Sequence, residues 1–292
     1  MDVSIIIVNY NTSVLIRNLM QTIEEKTEGI SYEVIVVDNN PTDQFAIDLK
    51  DYLDKIIYVP LKENVGFGRA NNEGIKVAKG RNIFFLNPDT LLINNAIKIL
   101  SDYLDSNERV GACGGNLYDL DLKPNHSYMP KLPGLFSELN LLLGNSLYKL
   151  LYGCYDFNKS EEIKRVGYVT GADMMVKRHI LDKVGGFNPI FFMYYEETEL
   201  SFRIKKEGYH IVNVPMAKIV HLESKSFTST IKKQKLVLES RNKYLNIIYP
   251  QYKRVLTNIV YTISCVVAVI IFTIKKDCQR KEIWLYSLKS ML

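Results

Sequence analysis

The chain has 292 residues, 47% hydrophobic and 24% charged, with a formal net charge of +5 from 37 basic and 32 acidic residues. That length can bury a sizeable core, and the composition excludes a disordered chain or a collagen-like repeat. Much of the basic excess sits in the last third, from Lys232 to Lys281, with no nucleic-acid-reading motif beside it, so nucleic acid is not an expected partner.

In chain order, short β-branched runs alternate with amphipathic stretches, the pattern of an α/β protein with a mostly parallel central sheet flanked by helices. Ser4–Val8, Glu33–Val37, Ile56–Val59 and Asn82–Leu86 read as strands, each nearly all apolar, as strands covered on both faces are. Thr12 or Ser13 caps a helix with Leu15, Leu19 and Ile23 on one face, and Asn94 or Asn95 starts another carrying Ile97, Leu100 and Leu104. Beyond Gly114 the alternation stops. Residues 116–130 read as irregular or hairpin structure, and 132–152 as a helical insertion on the core or a lid. A second set of elements runs over 166–220, followed by a helix over 229–247. Residues 255–274 are predominantly apolar and flanked by Arg254 and Lys275. They read as an interfacial helix, a span or a buried core helix. The four cysteines lack metal-ligand spacing and no cleavable signal peptide precedes the first strand, so a reducing, cytoplasmic setting is expected.

Polar clusters follow the strands directly: Asn9 and Asn11, then Asp38 to Asn40, then Asn87 to Asp89. Ligands of open parallel sheets bind outside the carboxyl ends of the strands, so these clusters should meet at one crevice. There Asp89 can coordinate a divalent cation bridging a nucleotide diphosphate, or simply cap a turn. Asp38 can accept the imide hydrogen of a pyrimidine base while Tyr10 offers a flat face for stacking. Arg69, at a loop-to-helix entry, can approach phosphate. In FFMYYEETELSFR, residues 191–203, Glu199 and Arg203 stand one helical turn apart as an ion pair, which leaves Glu196 or Glu197 to point into the crevice as a general base. His221 closes a strand-like run and can complete a metal site with Asp89.

The order of these pieces resembles the family 2 glycosyltransferases, particularly the rhamnosyltransferase-like branch of bacterial polysaccharide biosynthesis. The resemblance covers about residues 3–227 and rests on SIIIVNYNT at Ser4, VIVVDNN at Val34, ENVGFGRANNEG at Glu63, FLNPDT at Phe85, TGADMMVKR at Thr170, GGFNPIFFMYYEETELSFR at Gly185 and HLESKS at His221. It implies a GT-A fold over residues 1–227, with a nucleotide-binding half (1–115) and an acceptor-binding half (116–227); the apolar, basic-flanked stretch beyond it reads as part of a helical, membrane-associated extension over 228–292. It implies that Asp89 ends the metal motif, with Asn87 in place of its first acidic member, and that His221 is a metal ligand. Tyr10, Asn11, Asp38, Arg69, Asn87 and Asp89 would surround the nucleotide sugar, and Asp173 would reach an acceptor hydroxyl or serve the structure. The family's acid pair, usually Glu-Asp, corresponds to Glu196 and Glu197. Glu197 is then the base and Glu196 its rival, and Asn188 replaces the usual aspartate of the Gly-Gly-Phe-Asp run.

The expected reaction is an inverting, Mg²⁺- or Mn²⁺-dependent sugar transfer. The donor is dTDP-rhamnose or a UDP-hexose and the acceptor a lipid-linked or oligosaccharide hydroxyl, at the cytoplasmic face of a bacterial inner membrane. The alternatives are an inactive sugar-binding scaffold at the membrane, which loss of the metal or base residues would mark, and a sugar nucleotidyltransferase, which would carry a basic glycine-rich loop where Asn9, Tyr10, Asn11 and Thr12 stand.

Overall fold

The computed structural model describes residues 1–153, 155–222 and 231–291. Cys154, the end of the HLESKS motif and the start of the helix expected from Ser229 lie outside the described residues. In chain order the elements are β1 (Val3–Asn9), α1 (Ser13–Lys26), β2 (Tyr32–Asp38), α2 (Asp43–Asp48), β3 (Ile56–Pro60), α3 (Phe67–Val77), β4 (Asn82–Leu86), β5 (Thr90–Leu92), α4 (Ala96–Asp105) and β6 (Val110–Tyr118). Then come β7 (Tyr128–Met129), α5 (Leu135–Leu142), α6 (Ser146–Tyr152), β8 (Lys164–Arg165), β9 (Tyr168–Val169), β10 (Asp173–Lys177), α7 (Arg178–Val184), α8 (Glu196–Lys206), β11 (His210–His221), α9 (Ile231–Ile248), α10 (Gln251–Ile274) and α11 (Cys278–Lys289).

Among the described residues the chain divides into two compact units. The first holds residues 1–130, 156–192 and 196–222 around a sheet ordered β3-β2-β1-β4-β10-β6-β11-β5, with β8 beside β11. The four strands expected from the sequence run parallel, and β10 then enters antiparallel between β4 and β6. Strand alternation sorts the side chains onto two faces. Ile5, Ile7, Val34, Val36 and Phe84 pack with α1 and α4, while Ile6, Ile35, Val37 and Phe85 pack with α3, α7 and α8. On α1 the buried line is Ile16, Leu19, Met20 and Ile23, and Leu15 is only half-buried. The buried face is therefore centred about half a residue step, roughly 50°, round from the expected one, with Ile16 and Met20 buried and Leu15 at its margin.

The second unit holds 131–153, Tyr155, 193–195 and 231–291. The sequence reading placed 132–152 with the acceptor half; here α5 and α6 group with the C-terminal helices. Arg241 of α9 is the reason on the polar side. It is 3% exposed, and its Nε and Nη2 donate to Glu138 Oε1 of α5 at 2.9 and 2.8 Å. Its Nη1 donates to Asn258 Oδ1 of α10 at 2.8 Å, and its guanidinium lies 4.3 Å from the Tyr261 ring centre. A buried pair of this kind survives only when fully satisfied, and this one ties three helices together.

Candidate active site

The carboxyl ends of β1, β2 and β3 lie level, with Asn9 opposite Asp38 and Asp38 opposite Pro60. Asp38 is fully buried. Its Oδ1 accepts from Asn9 Nδ2 at 2.8 Å and from the Asn40 amide at 3.1 Å, and its Oδ2 accepts from the Tyr58 hydroxyl at 2.9 Å. A carboxylate has about four acceptor positions, so three are taken inside the protein and one, on Oδ2, is left. Tyr58 was not anticipated, because its strand alternation alone does not reveal a partner on β2. Tyr10 beside this network is half exposed, and Asn11, at φ +58°, accepts from Asn40 Nδ2.

Arg69 is not brought to these residues. Its Nε donates to the Pro189 carbonyl at 2.7 Å, and it lines a groove of about 460 Å³ with Leu61, Lys62, Val65 and Lys76 that contains none of Tyr10, Asn11, Asp38, Asn87 and Asp89.

The turn between β4 and β5 is built by Thr90, whose amide and hydroxyl both donate to the Asn87 carbonyl, at 3.3 and 2.7 Å. β5 then pairs antiparallel with the end of β11, Thr90 opposite His221, and the Leu222 amide donates to the Asp89 carbonyl at 2.9 Å. This long-range pairing sets His221 Nε2 at 3.4 Å from Asp89 Oδ1 and 3.5 Å from Asn87 Nδ2. The buried Asn87 Oδ1 has no hydrogen-bond partner. Carboxylate, imidazole and amide oxygen are donors that suit Mg²⁺ or Mn²⁺. Among the described residues no group of three or more His, Cys, Asp or Glu is placed to hold a metal ion. Asp89 and His221, with Asn87 beside them, are the residues that could hold such a cation.

α8 opens with the acid pair, just after Tyr194 and Tyr195 at φ +71° and +70°. Two successive bulky residues in the left-handed region are costly and mark an over-determined site. Glu196 is turned inward. It is 4% exposed, its Oε2 has no hydrogen-bond partner, and a Cβ at Gly68 would come within 3.4 Å of its own Cβ. Burial, reinforced by the charge of Glu197, pushes its carboxyl well up. Glu197 is half-buried, beside Gly171 and Phe67. Burial raises its carboxyl too, but the Thr198 hydroxyl, donating at 3.2 Å, nearby backbone amides and the charge of His126 oppose the rise. His126 was missed by sequence reasoning. It stands after β6 with Nδ1 3.9 Å from Asp156 Oδ2, and the only signal was a histidine in a polar turn segment.

Glu199 forms the ion pair expected from its spacing to Arg203. Arg203 Nε meets both its carboxylate oxygens at 2.9 Å, and the guanidinium also donates to the carbonyls of Val184, Gly185 and Gly186. Asn72 clamps the same segment, donating to the Phe187 carbonyl at 2.7 Å and accepting its amide at 2.8 Å. A Cβ at Gly186 would lie 2.3 Å from Asn72 Oδ1, so only glycine fits that close approach.

Asp173, a candidate for acceptor contact, is instead fully buried at the start of β10. Its Oδ2 accepts the Gly115 amide at 2.6 Å and its Oδ1 the Thr170 hydroxyl at 3.4 Å. Burial pushes its carboxyl up to about 7 against these bonds and the nearby His221. With no exposed surface, it joins β10 to β6, the structural role that was its alternative.

Residues 4–185, more than half of the chain, match the sequence model described as glycosyl transferase family 2. The chain belongs to that family. A second model, glycosyl transferase family group 2, matches residues 147–285. Relatives of this family 2 member include a low-salt glycan biosynthesis hexosyltransferase of Haloferax volcanii, 28% identical over 84% of this chain and 75% of the relative. Another is an N-acetylglucosaminyl-diphospho-decaprenol L-rhamnosyltransferase of Mycobacterium tuberculosis, 26% identical over 76% of both chains. A mannosyltransferase of Pyrobaculum calidifontis, solved with GDP-Man and Mn²⁺, has a similar fold. The TM-score is 0.60 at 17% identity, over 93% of this chain and 74% of that one. The α/β architecture expected from the sequence, a GT-A fold with a mostly parallel sheet, is the one observed.

Proposed function

We propose that this glycosyltransferase moves a hexosyl unit, rhamnosyl from a dTDP-linked donor or a hexosyl from a UDP-linked one, onto a hydroxyl of a lipid-linked saccharide, with inversion. The reading rests on one observation above others: β5–β11 pairing sets Asp89 and His221 3.4 Å apart at the mouth of the parallel sheet, in the unit that also carries the half-buried Glu197. Asp89 and His221, with Asn87 beside them, would hold a divalent cation together with the donor diphosphate. Bound there, such an ion supplies positive charge that neutralises the departing diphosphate.

Glu197 takes the proton of the acceptor hydroxyl. Its ionised form remains accessible because the Thr198 hydroxyl and nearby backbone amides favour the anion, whereas Glu196 is more deeply buried with its Oε2 unpartnered, which favours its protonated form. The hydroxyl oxygen then bonds the anomeric carbon as the bond to the diphosphate oxygen breaks, in line and on the opposite face, so an α-linked donor gives a β-linked product. Tyr10 stacks on the nucleotide base, and Asn11 and Asp38 frame it. Arg69, held by Pro189, serves the phosphates only if its side chain leaves that carbonyl. The names of the two relatives, one of glycan biosynthesis and one of a lipid-linked sugar, support a glycan-building reaction; the setting proposed for it is the cytoplasmic face of a membrane.

The test is thermal stability of the purified protein with UDP, dTDP, GDP or CDP, with and without Mn²⁺, because a ligand that binds only the folded state raises Tm. A metal-dependent rise with UDP or dTDP, abolished by Asp89→Ala, is expected. A folded protein that responds to none of the four nucleotides would overturn the reading.

A further inference from the structure

α10 is 24 residues long and, among the described residues, is the helix with the length and hydropathy to cross a bilayer. It has two unlike faces. Val255, Ile259, Ile263, Val266, Ile270 and Ile274 are all exposed, by 41% to 76%. At about 100° per residue their spacing places all six within an arc of about 100°, an apolar stripe roughly 29 Å long. The opposite face is buried: Thr257, Tyr261, Ser264 and Cys265 turn inward.

That inner face packs on apolar Leu141, Leu238 and Trp284, and also on buried polar and charged groups. Arg241 reaches Asn258 and the Tyr261 ring while paired with Glu138. Gln234 donates to the Ser287 hydroxyl at 2.8 Å and the Tyr261 hydroxyl at 3.4 Å. The same α9 carries exposed Lys232, Lys235 and Glu239. Were α10 to cross the hydrocarbon layer, these helices would be drawn into it with their charges, at a cost that membrane proteins avoid outside water-filled cavities.

The charge distribution says what covers the stripe. Residues 251–292 hold seven basic and two acidic residues, a net +5 equal to that of the whole chain, so the remaining 250 residues balance with thirty of each sign. Those basic residues sit at both ends of the stripe, Lys253 and Arg254 before it and Lys275, Lys276 and Arg280 after it. A span would put the two groups on opposite sides of a membrane, against the usual one-sided bias of Lys and Arg. A helix lying in the plane puts both at the headgroups of one leaflet.

We infer that α10 lies in the plane of an anionic lipid surface, with the 255–274 stripe among the acyl chains and its basic ends on the headgroups, and does not cross the bilayer. The inference rests on the membrane setting of the proposed function but names the lipid chemistry and the mode of attachment.

Flotation of the full chain with vesicles tests it, phosphatidylcholine alone against phosphatidylcholine with one third phosphatidylglycerol. Binding about tenfold or more stronger to the anionic vesicles, reduced by 0.5 M NaCl, is expected. The double variant Ile259→Glu/Ile263→Glu, altering only exposed positions, should lose about tenfold or more of that binding with unchanged Tm. Its nucleotide-dependent stability should also be unchanged, which separates failure here from failure of the transferase reading. In sealed inverted membranes from expressing cells, an impermeant thiol reagent should reach Gln251→Cys and the native, exposed Cys278 from the same side. Labelling from opposite sides would establish a span and overturn the inference. So would equal binding to both vesicle types, no binding to either, or a dimer that the double variant dissociates.

Discussion

Asp173 offers a quantitative test of the site's electrostatics. Its carboxyl, usually near 3.8, is pushed up to about 7 by complete burial. Between those values the folded state holds a proton that the unfolded chain has released, so stability falls as pH rises from about 4 to about 7 and then levels off. At 1.36 kcal/mol per unit, the ionisation costs the fold about 2 kcal/mol near pH 5.5 and about 4 kcal/mol near pH 8. Asp173→Asn removes the titration while its amide oxygen can still accept the Gly115 amide that Oδ2 now takes at 2.6 Å. Urea unfolding of wild type and variant, followed by a probe in the sheet unit, should therefore give a stability difference that moves in the variant's favour by about 2 kcal/mol between those two pH values. The constant part of the difference, from any loss in the Thr170 contact, cancels in the comparison. A difference independent of pH would refute the reasoning, because it would mean that Asp173 is already ionised in the folded protein near pH 5.5.

The carboxylates of α8 should separate cleanly. Glu197→Gln should keep the nucleotide-dependent rise in Tm and lose about 10²- to 10⁴-fold in kcat, whereas Glu196→Gln, which mimics a carboxyl already protonated, should turn over near the wild-type rate. The opposite pattern in a donor-consumption assay would move the base to Glu196. Because burial raises the Glu197 carboxyl, the acid limb of kcat/KM should lie above the ordinary glutamate value of about 4.3, and a limb at or below it would contradict the burial argument. In the second unit, Arg241→Met strands Glu138 in a site where burial already raises its carboxyl, and should destabilise that unit by about 3–5 kcal/mol above neutral pH. Pairing it with Glu138→Gln should restore part of the loss, and additive losses in urea unfolding would show that the two side chains do not act as a pair.

Much of the fold was legible because its signals are local. β1, β2 and β4 are mostly buried apolar runs, whereas β3, at the sheet edge, is only half-covered, with Tyr58 and Pro60 exposed, and α4 carries Ile97, Leu100 and Leu104 at helical spacing, all buried as expected. The ion pair of Glu199 and Arg203 followed from helical spacing alone. Where two apolar residues competed for one stripe, as Leu15 and Met20 do on α1, the spacing did not choose between them.

The alternation that makes the sheet, the polar residues at its strand ends, the motif order that marks family 2, and the apolar, basic-flanked stretch near the C-terminus can all be read along the chain without knowing its contacts. The folded chain alone brings His221 beside Asp89, which lies 132 positions earlier, since that depends on β11 choosing β5 as its partner. It also closes Tyr58 on Asp38, seals Asp173 inside the sheet, and turns Glu196 in while Glu197 stays accessible. The physical reason is common to all four. Periodicity records which face of an element is apolar, but strand partners, burial and the pKa shifts that burial causes are set by contacts between elements far apart in the chain.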